Sequence, residues 1–158
     1  MPRDAAHKSL YQTSDAVYGI AFLFASLLSF LLPLSFPETL PKFLFYVSGG
    51  GVFLIGLSLV FLSRSSLRRE GQPSEPGIPT TKLVTNGVFS VSRNPSYLGL
   101  ALVFVGLGLV FRSLWFLIVL LPTIVAVHIV LIVPEERYLE EKFGEEYRRY
   151  KLSVRRWI

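Results

Sequence analysis

The chain has 158 residues, which makes one domain the default, and 51% of them are apolar against 17% charged. Soluble domains carry roughly a quarter charged residues, and here the apolar residues come in long blocks, so the composition points to a membrane protein. There is no Cys, which excludes disulfides, zinc–thiolate sites and Cys nucleophiles, and His7 and His128 alone are too few for a His-rich metal site. The net charge is +5, with the basic residues lying between apolar blocks, a placement that suits anionic lipid headgroups better than nucleic acid.

Residues 1–15 are short and polar. Residues 16–34 are apolar and long enough to span, given the roughly 20 residues a span needs. A signal peptide would be followed by a small-x-small cleavage site; Pro33, Pro37 and Pro41 follow instead, so this reads as a retained span. A Pro-rich turn leads to a second span at 43–63. It contains Gly49-Gly50-Gly51 and Gly56, small residues that let helices approach closely; with no strand before them they do not read as a phosphate loop.

The longest polar segment, 64–92, starts with Arg64, Arg68 and Arg69 and continues through a Pro/Gly-rich stretch at 71–79. It reads as a short helix leaving the membrane, then a loop. Two more apolar runs, 97–111 and 114–133, are split only by Arg112-Ser113 and predict a tight helical hairpin. Four spans place both termini and the 64–92 loop on one side. Only Lys42 and Arg112 then fall on the other side, leaving 14 of the 16 Lys and Arg together, and the positive-inside rule makes that side cytoplasmic.

The tail, 134–158, is charged and amphipathic. Leu139, Phe143, Tyr147, Tyr150 and Val154 form one helical stripe, and Gly144 is placed to break it into two helices. The predicted role is a helix on the membrane surface, with Arg148, Arg149, Lys151, Arg155 and Arg156 toward headgroups and Trp157 as an interface anchor. That role leaves Glu135-Glu136 unexplained, because carboxylates where a span leaves the membrane are costly unless paired or wet.

The polar stretch at 82–99, K-L-V-T-N-G-V-F-S-V-S-R-N-P-S-Y-L-G, lies directly against a long apolar run. Asn86-Gly87 is a turn signal. Asn94-Pro95 is a helix start, with Asn as a preferred N-cap and Pro fitting the first helical position. A helix begun there aims free backbone N–H groups and a positive dipole end at the loop, which suits an anion such as a carboxylate. If the last two spans form a tight hairpin, Arg93-Asn94-Pro95 and Glu135-Glu136 meet at one surface. Such a pocket has N–H groups on one wall and carboxylates on the other, and would take an amino-acid zwitterion attached to something larger.

The segment T-K-L-V-T-N-G-V-F-S-V-S-R-N-P-S-Y-L-G, followed after the hairpin by P-E-E-R-Y-L-E-E-K-F-G-E-E-Y-R-R-Y, resembles the isoprenylcysteine carboxyl methyltransferase family, which is grouped with the phospholipid N-methyltransferases. The match covers about 80–150. It implies one all-α integral membrane domain, a polytopic bundle of about four transmembrane helices with the last two as a tight hairpin and an amphipathic cytoplasmic C-terminal helix. Residues 80–96 and 134–158 would form a cap over S-adenosyl-L-methionine. Carried over by position, the cofactor contacts fall on Thr81, Lys82, Leu83, Val84, Phe89, Asn94, Pro95, Ser96, Tyr97, Glu135 and Glu136. Asn94 and the helix N-terminus would hold the methionine carboxylate and Glu135 the ammonium, with Phe89 and Tyr97 packed on the adenine or near the sulfonium.

Two departures bear on the acceptor. Asn94 stands where the carboxyl methyltransferases commonly have His, as it does in the phospholipid enzymes. Leu131 stands where those enzymes carry an Arg that holds the substrate carboxylate, so the clamp expected for prenylcysteine is missing. Phe89 also lacks the hydroxyl of a tyrosine-like position. His128 lies one turn before Leu131, on roughly the face shared with Glu135, and could take a proton from an amine acceptor. His128 and Arg93 are the candidate catalytic residues. The reading is methyl transfer to a lipophilic acceptor (carboxylate, amine or thiol) that reaches the site between the spans, in the inner membrane of a prokaryote with both termini cytoplasmic. Two alternatives stand beside it. One is an NADPH-dependent reductase of the sterol type, which shares an R-x-P-x-Y-x-G segment; the other is a non-enzymatic lipid-binding membrane protein.

Overall fold

The structure, a computed structural model, describes residues 14–37, 41–73 and 79–158; the polar N-terminal stretch with His7 and the centre of the 71–79 loop lie outside these. Among the described residues six α-helices follow one another: α1 (Ser14–Leu31), α2 (Lys42–Arg69), α3 (Pro95–Val110), α4 (Leu114–Val127), α5 (Val133–Phe143) and α6 (Glu145–Ser153). Among the described residues the only β-type pairing is one isolated bridge, Ser35 to Ser113, so the chain is all-α as expected.

Among the described residues three helices are long and apolar enough to cross a membrane: α1, α2 and the continuous rod Leu114–Phe143. The protein is an integral membrane protein. The expected third span is shorter than the others: α3 has 16 residues, about 24 Å at 1.5 Å per residue, against a hydrocarbon core of roughly 30 Å. Phe111, Arg112 and Ser113 fold back through hydrogen bonds to Leu107, Leu109 and Gly108 carbonyls, and Arg112 takes the left-handed backbone conformation, φ 50°.

α2 and α3 run antiparallel at backbone contact. A Cβ on Gly56 would stand 2.6 Å from the Gly99 carbonyl oxygen, and one on Gly106 2.6 Å from the Phe53 nitrogen. Gly49 and Gly56 thus do what small residues in spans are expected to do, with Gly106 and Gly99 as their partners. Gly50 and Gly51 meet nothing within 4 Å. α1 packs on the other flank, where Tyr18, Ala21 and Ala25 join Ala101, Phe104, Phe116, Val127 and Leu131 in the main core. Phe24, Phe30, Leu54 and Phe61 are exposed, as lipid-facing side chains should be.

The rod does not stop at residue 133. α4 passes into α5 through a π-helical turn, His128–Ile132. Pro134 accounts for it: its nitrogen carries no proton to donate, and its ring would crowd the Val130 carbonyl in α geometry. A π turn holds one extra residue and relieves that clash. The expected break at Gly144 is also seen, with φ 52° between α5 and α6.

Candidate active site at the ends of α3 and the α4–α5 rod

The loop before α3 is tied down from below. Gln72 Oε1 accepts the Thr81 and Lys82 backbone N–H groups at 2.8 and 3.0 Å. Glu70 pairs with Lys82 Nζ at 2.6 Å and accepts from Asn86. Leu83 packs with Tyr147 and Tyr150, the inner part of the predicted stripe on α5 and α6. Tyr150 donates to the Phe89 carbonyl at 2.6 Å, and burial pushes its phenol up to about 12, so it stays a neutral donor. Thr80 N–H donates to Tyr138 Oη at 3.3 Å. The cap is thus a folded layer of loop and two short helices.

The C-terminal tail then lies along the loop's last residues. Arg93 N–H donates to the Arg155 carbonyl at 3.1 Å, and Asn94 Nδ2 and Ser92 Oγ donate to the Arg156 carbonyl at 3.0 and 3.3 Å. Trp157 packs on the main core. This differs from the expected tail on the membrane surface. Arg148 and Lys151 pair with Glu140, while Arg156 and Trp157 turn inward. The cause is local: α6 ends at Ser153, and extended backbone at Val154 turns the chain back to the α3 N-terminus.

The two carboxylates part company. Glu136 is buried and gripped by Arg156, whose Nε and Nη2 donate to its two oxygens at 3.0 and 2.7 Å. Those bonds hold the Arg156 guanidinium above its ordinary range. Arg93 Nη2 lies 3.3 Å from Glu136 on the other side. Glu135 instead accepts from the Tyr97 hydroxyl at 2.8 Å, and among the described residues no cation pairs with it. The Tyr97 carbonyl accepts from Tyr18 of α1. Arg93 is enclosed, 8% exposed, yet its Nε and Nη1 have no hydrogen-bond partner among the described residues. Asn94 makes no side-chain cap on α3, so the Ser96 and Tyr97 N–H groups of the first turn also stay free.

Tyr97 with Glu135, and Glu136 with Arg93 directly and with His128 through Arg156, form the centre of the site. Pro95 is fully enclosed beside it. Thr81 and Lys82 are exposed and held on Gln72, Leu83 and Val84 are buried under the cap, and Phe89 is half-buried with its carbonyl held by Tyr150. His128 Nε2 lies 3.5 Å from Arg156 Nη1, a long contact in which the guanidinium is the donor and Nε2 the acceptor. Leu131, at the position of the expected Arg, is wholly buried in the core. Sequence reasoning missed Arg156, Gln72, Tyr138 and Tyr18. Of these, only Tyr138 sat within the quoted motif.

The arrangement is that of an α-helical membrane protein with a polar site roofed by a small cap at one end of its bundle. A family model described as phospholipid methyltransferase matches residues 44–146, about two thirds of the sequence, and the chain belongs to that family. It is also 70% identical over 27 residues to an uncharacterized protein of Haemophilus influenzae, a stretch covering 17% of this chain and 43% of that relative. The chain thus spans less than half the length of that curated relative. No solved structure matches.

Proposed function

We propose that this protein transfers a methyl group from S-adenosylmethionine to a lipophilic acceptor at the capped face of the membrane. Family membership supports the class of reaction. The observation that carries the site is the pair of opposites on either side of Glu136: Glu135, its chain neighbour, is a carboxylate without a cation, and Arg93, 3.3 Å from Glu136, is an enclosed cation with two free donors. This donor set matches an amino-acid zwitterion, so the residues present fit the cofactor.

Glu135 holds the ammonium, and Arg93 with the free N–H groups at the start of α3 holds the carboxylate. Tyr97 fixes the Glu135 carboxylate through its hydroxyl and offers a ring face that favours a cation. When bound, the cofactor supplies an electrophilic methyl group on a sulfonium. The protein's part is alignment, worth up to about 7–11 kcal/mol in ideal cases. His128 is the residue that would take a proton from an amine acceptor. The acceptor arrives from the bilayer between the helices, with α3 crossing beside α2 as the third of four spans. Capped side and both termini face the cytoplasm.

Calorimetric titration of the detergent-purified protein with S-adenosylhomocysteine, and separately with NADPH, tests this. The first ligand should bind and the second should not. Glu135→Gln should weaken binding about tenfold or more, the worth of a charge-assisted hydrogen bond. NADPH binding alone would move the reading to a reductase. Binding of neither by folded protein would end the enzyme reading.

A further inference from the structure

One cluster within the site carries one acid too few for its cations. Arg93, Arg156 and Glu136 form a cluster of two cations and one carboxylate. Arg156 takes both Glu136 oxygens in a two-pronged grip at 2.7 and 3.0 Å, while Arg93 reaches only one of them, at 3.3 Å. The single negative charge of Glu136 is shared unequally, with Arg156 holding it closely and Arg93 at a longer distance. Arg93 is therefore a buried cation in excess, with Nε and Nη1 free.

Resting on the methyltransferase reading, we propose that Arg156 is a positioning residue. By occupying Glu136 it keeps Arg93 free to bind the carboxylate end of an amino-acid ligand.

Without Arg156, Glu136 would turn to the nearest cation. Arg93 would shift into a full pair with it, the cluster would fall to zero net charge, and its attraction for an anion would go. The main-chain contacts of the tail would not change, because Ser92 and Asn94 bind the Arg156 carbonyl and not its side chain. A substitution of the side chain thus separates the charge effect from the strap.

The test compares two ligands that share the nucleoside and differ at the amino-acid end. Binding of S-adenosylhomocysteine and of 5′-methylthioadenosine, which lacks the carboxylate and ammonium, is measured by calorimetry on wild type, Arg156→Met, Arg156→Lys and the double variant Arg156→Met/Glu136→Gln. Arg156→Met should lose about tenfold or more of its affinity for the first ligand and keep that for the second. Arg156→Lys, with the charge but not the two-pronged geometry, should fall between. The double variant should recover, because Arg93 then has no acid to join. Equal loss of both ligands, no loss, or no recovery in the double variant would overturn the role given to Arg156. If wild type binds neither ligand, the cofactor reading itself falls and takes this role with it.

Discussion

Gly56→Ala is the sharpest test of the helix packing that carries the site. The added Cβ would sit 2.6 Å from the Gly99 carbonyl oxygen, 2.7 Å from the Val103 nitrogen and 2.9 Å from the Leu102 Cβ. Two of these are backbone atoms, so no side chain can swing away. Ordinary contact begins at 3.4 Å, and α2 and α3 must part by about 0.8 Å at this point. Overpacking of this kind costs about 1–3 kcal/mol. The gain in helix propensity from Gly to Ala offsets up to about 1 kcal/mol of that. Gly51→Ala is the control: same helix, same change, open space around it, and so an expected gain of about 0.5–1 kcal/mol. Unfolding of the detergent-solubilised protein by SDS, followed by circular dichroism, reads both. The two variants should move in opposite directions. Gly56→Ala should also weaken S-adenosylhomocysteine binding, because Gly99 lies one turn from the start of α3 and any parting there moves Arg93 and Tyr97. If Gly56→Ala is as stable as Gly51→Ala, the close approach of α2 and α3 is wrong.

Two further predictions concern the cap and the rod. Hydrogen bonds from Lys82 and Asn86, with the Lys82 charge, hold the Glu70 carboxyl below its ordinary range, so its contribution is present above that range and lost as pH falls through the folded-state value. Urea unfolding read by Trp157 fluorescence, in a Trp115→Phe background, should show wild type and Glu70→Gln diverging at neutral pH and converging in acid; a difference independent of pH would refute the tie. Pro134→Ala, which removes the cause of the π turn and keeps the number of residues, should return the rod to α geometry and rotate Glu135 and Glu136 away from their partners. Binding of S-adenosylhomocysteine should fall about tenfold or more with helical content intact, and unchanged affinity would show that the turn does not set their phase.

What could be read from the sequence was what depends on spacing. The stripe from Leu139 to Val154 recurs at three- and four-residue steps, and it does pack on Leu83 beneath the cap. Gly49 and Gly56 are seven apart, as are Gly99 and Gly106, and that shared interval is the visible trace of two antiparallel helices touching at two levels. The tail was not legible in this way. In Arg155-Arg156-Trp157 three adjacent residues point in different directions once the helix has ended, and a cationic run beside an aromatic reads by default as a membrane anchor. Only the turn at Val154, set by the docking of α6 on Leu83, sends Arg156 inward. Gln72 was hidden for a similar reason: its amide satisfies backbone groups nine and ten residues away, which no local pattern records.

The π turn resolves why two adjacent glutamates have different partners. In an unbroken α-helix His128, Leu131 and Glu135 share a face, since they are three and seven residues apart. One extra residue in the turn between them shifts the phase of everything after it by about one residue, roughly 100°. Glu136 then takes the place Glu135 would have had, in line with His128, and one guanidinium reaches both. Glu135 is carried round toward α3, where Tyr97 meets it. Had the rod stayed α-helical, Glu135 would fall to Arg156, and the site would have no unpaired carboxylate. The helical defect imposed at Pro134 thereby divides the acidic pair into one residue that organises the cations and one that stays available to a ligand.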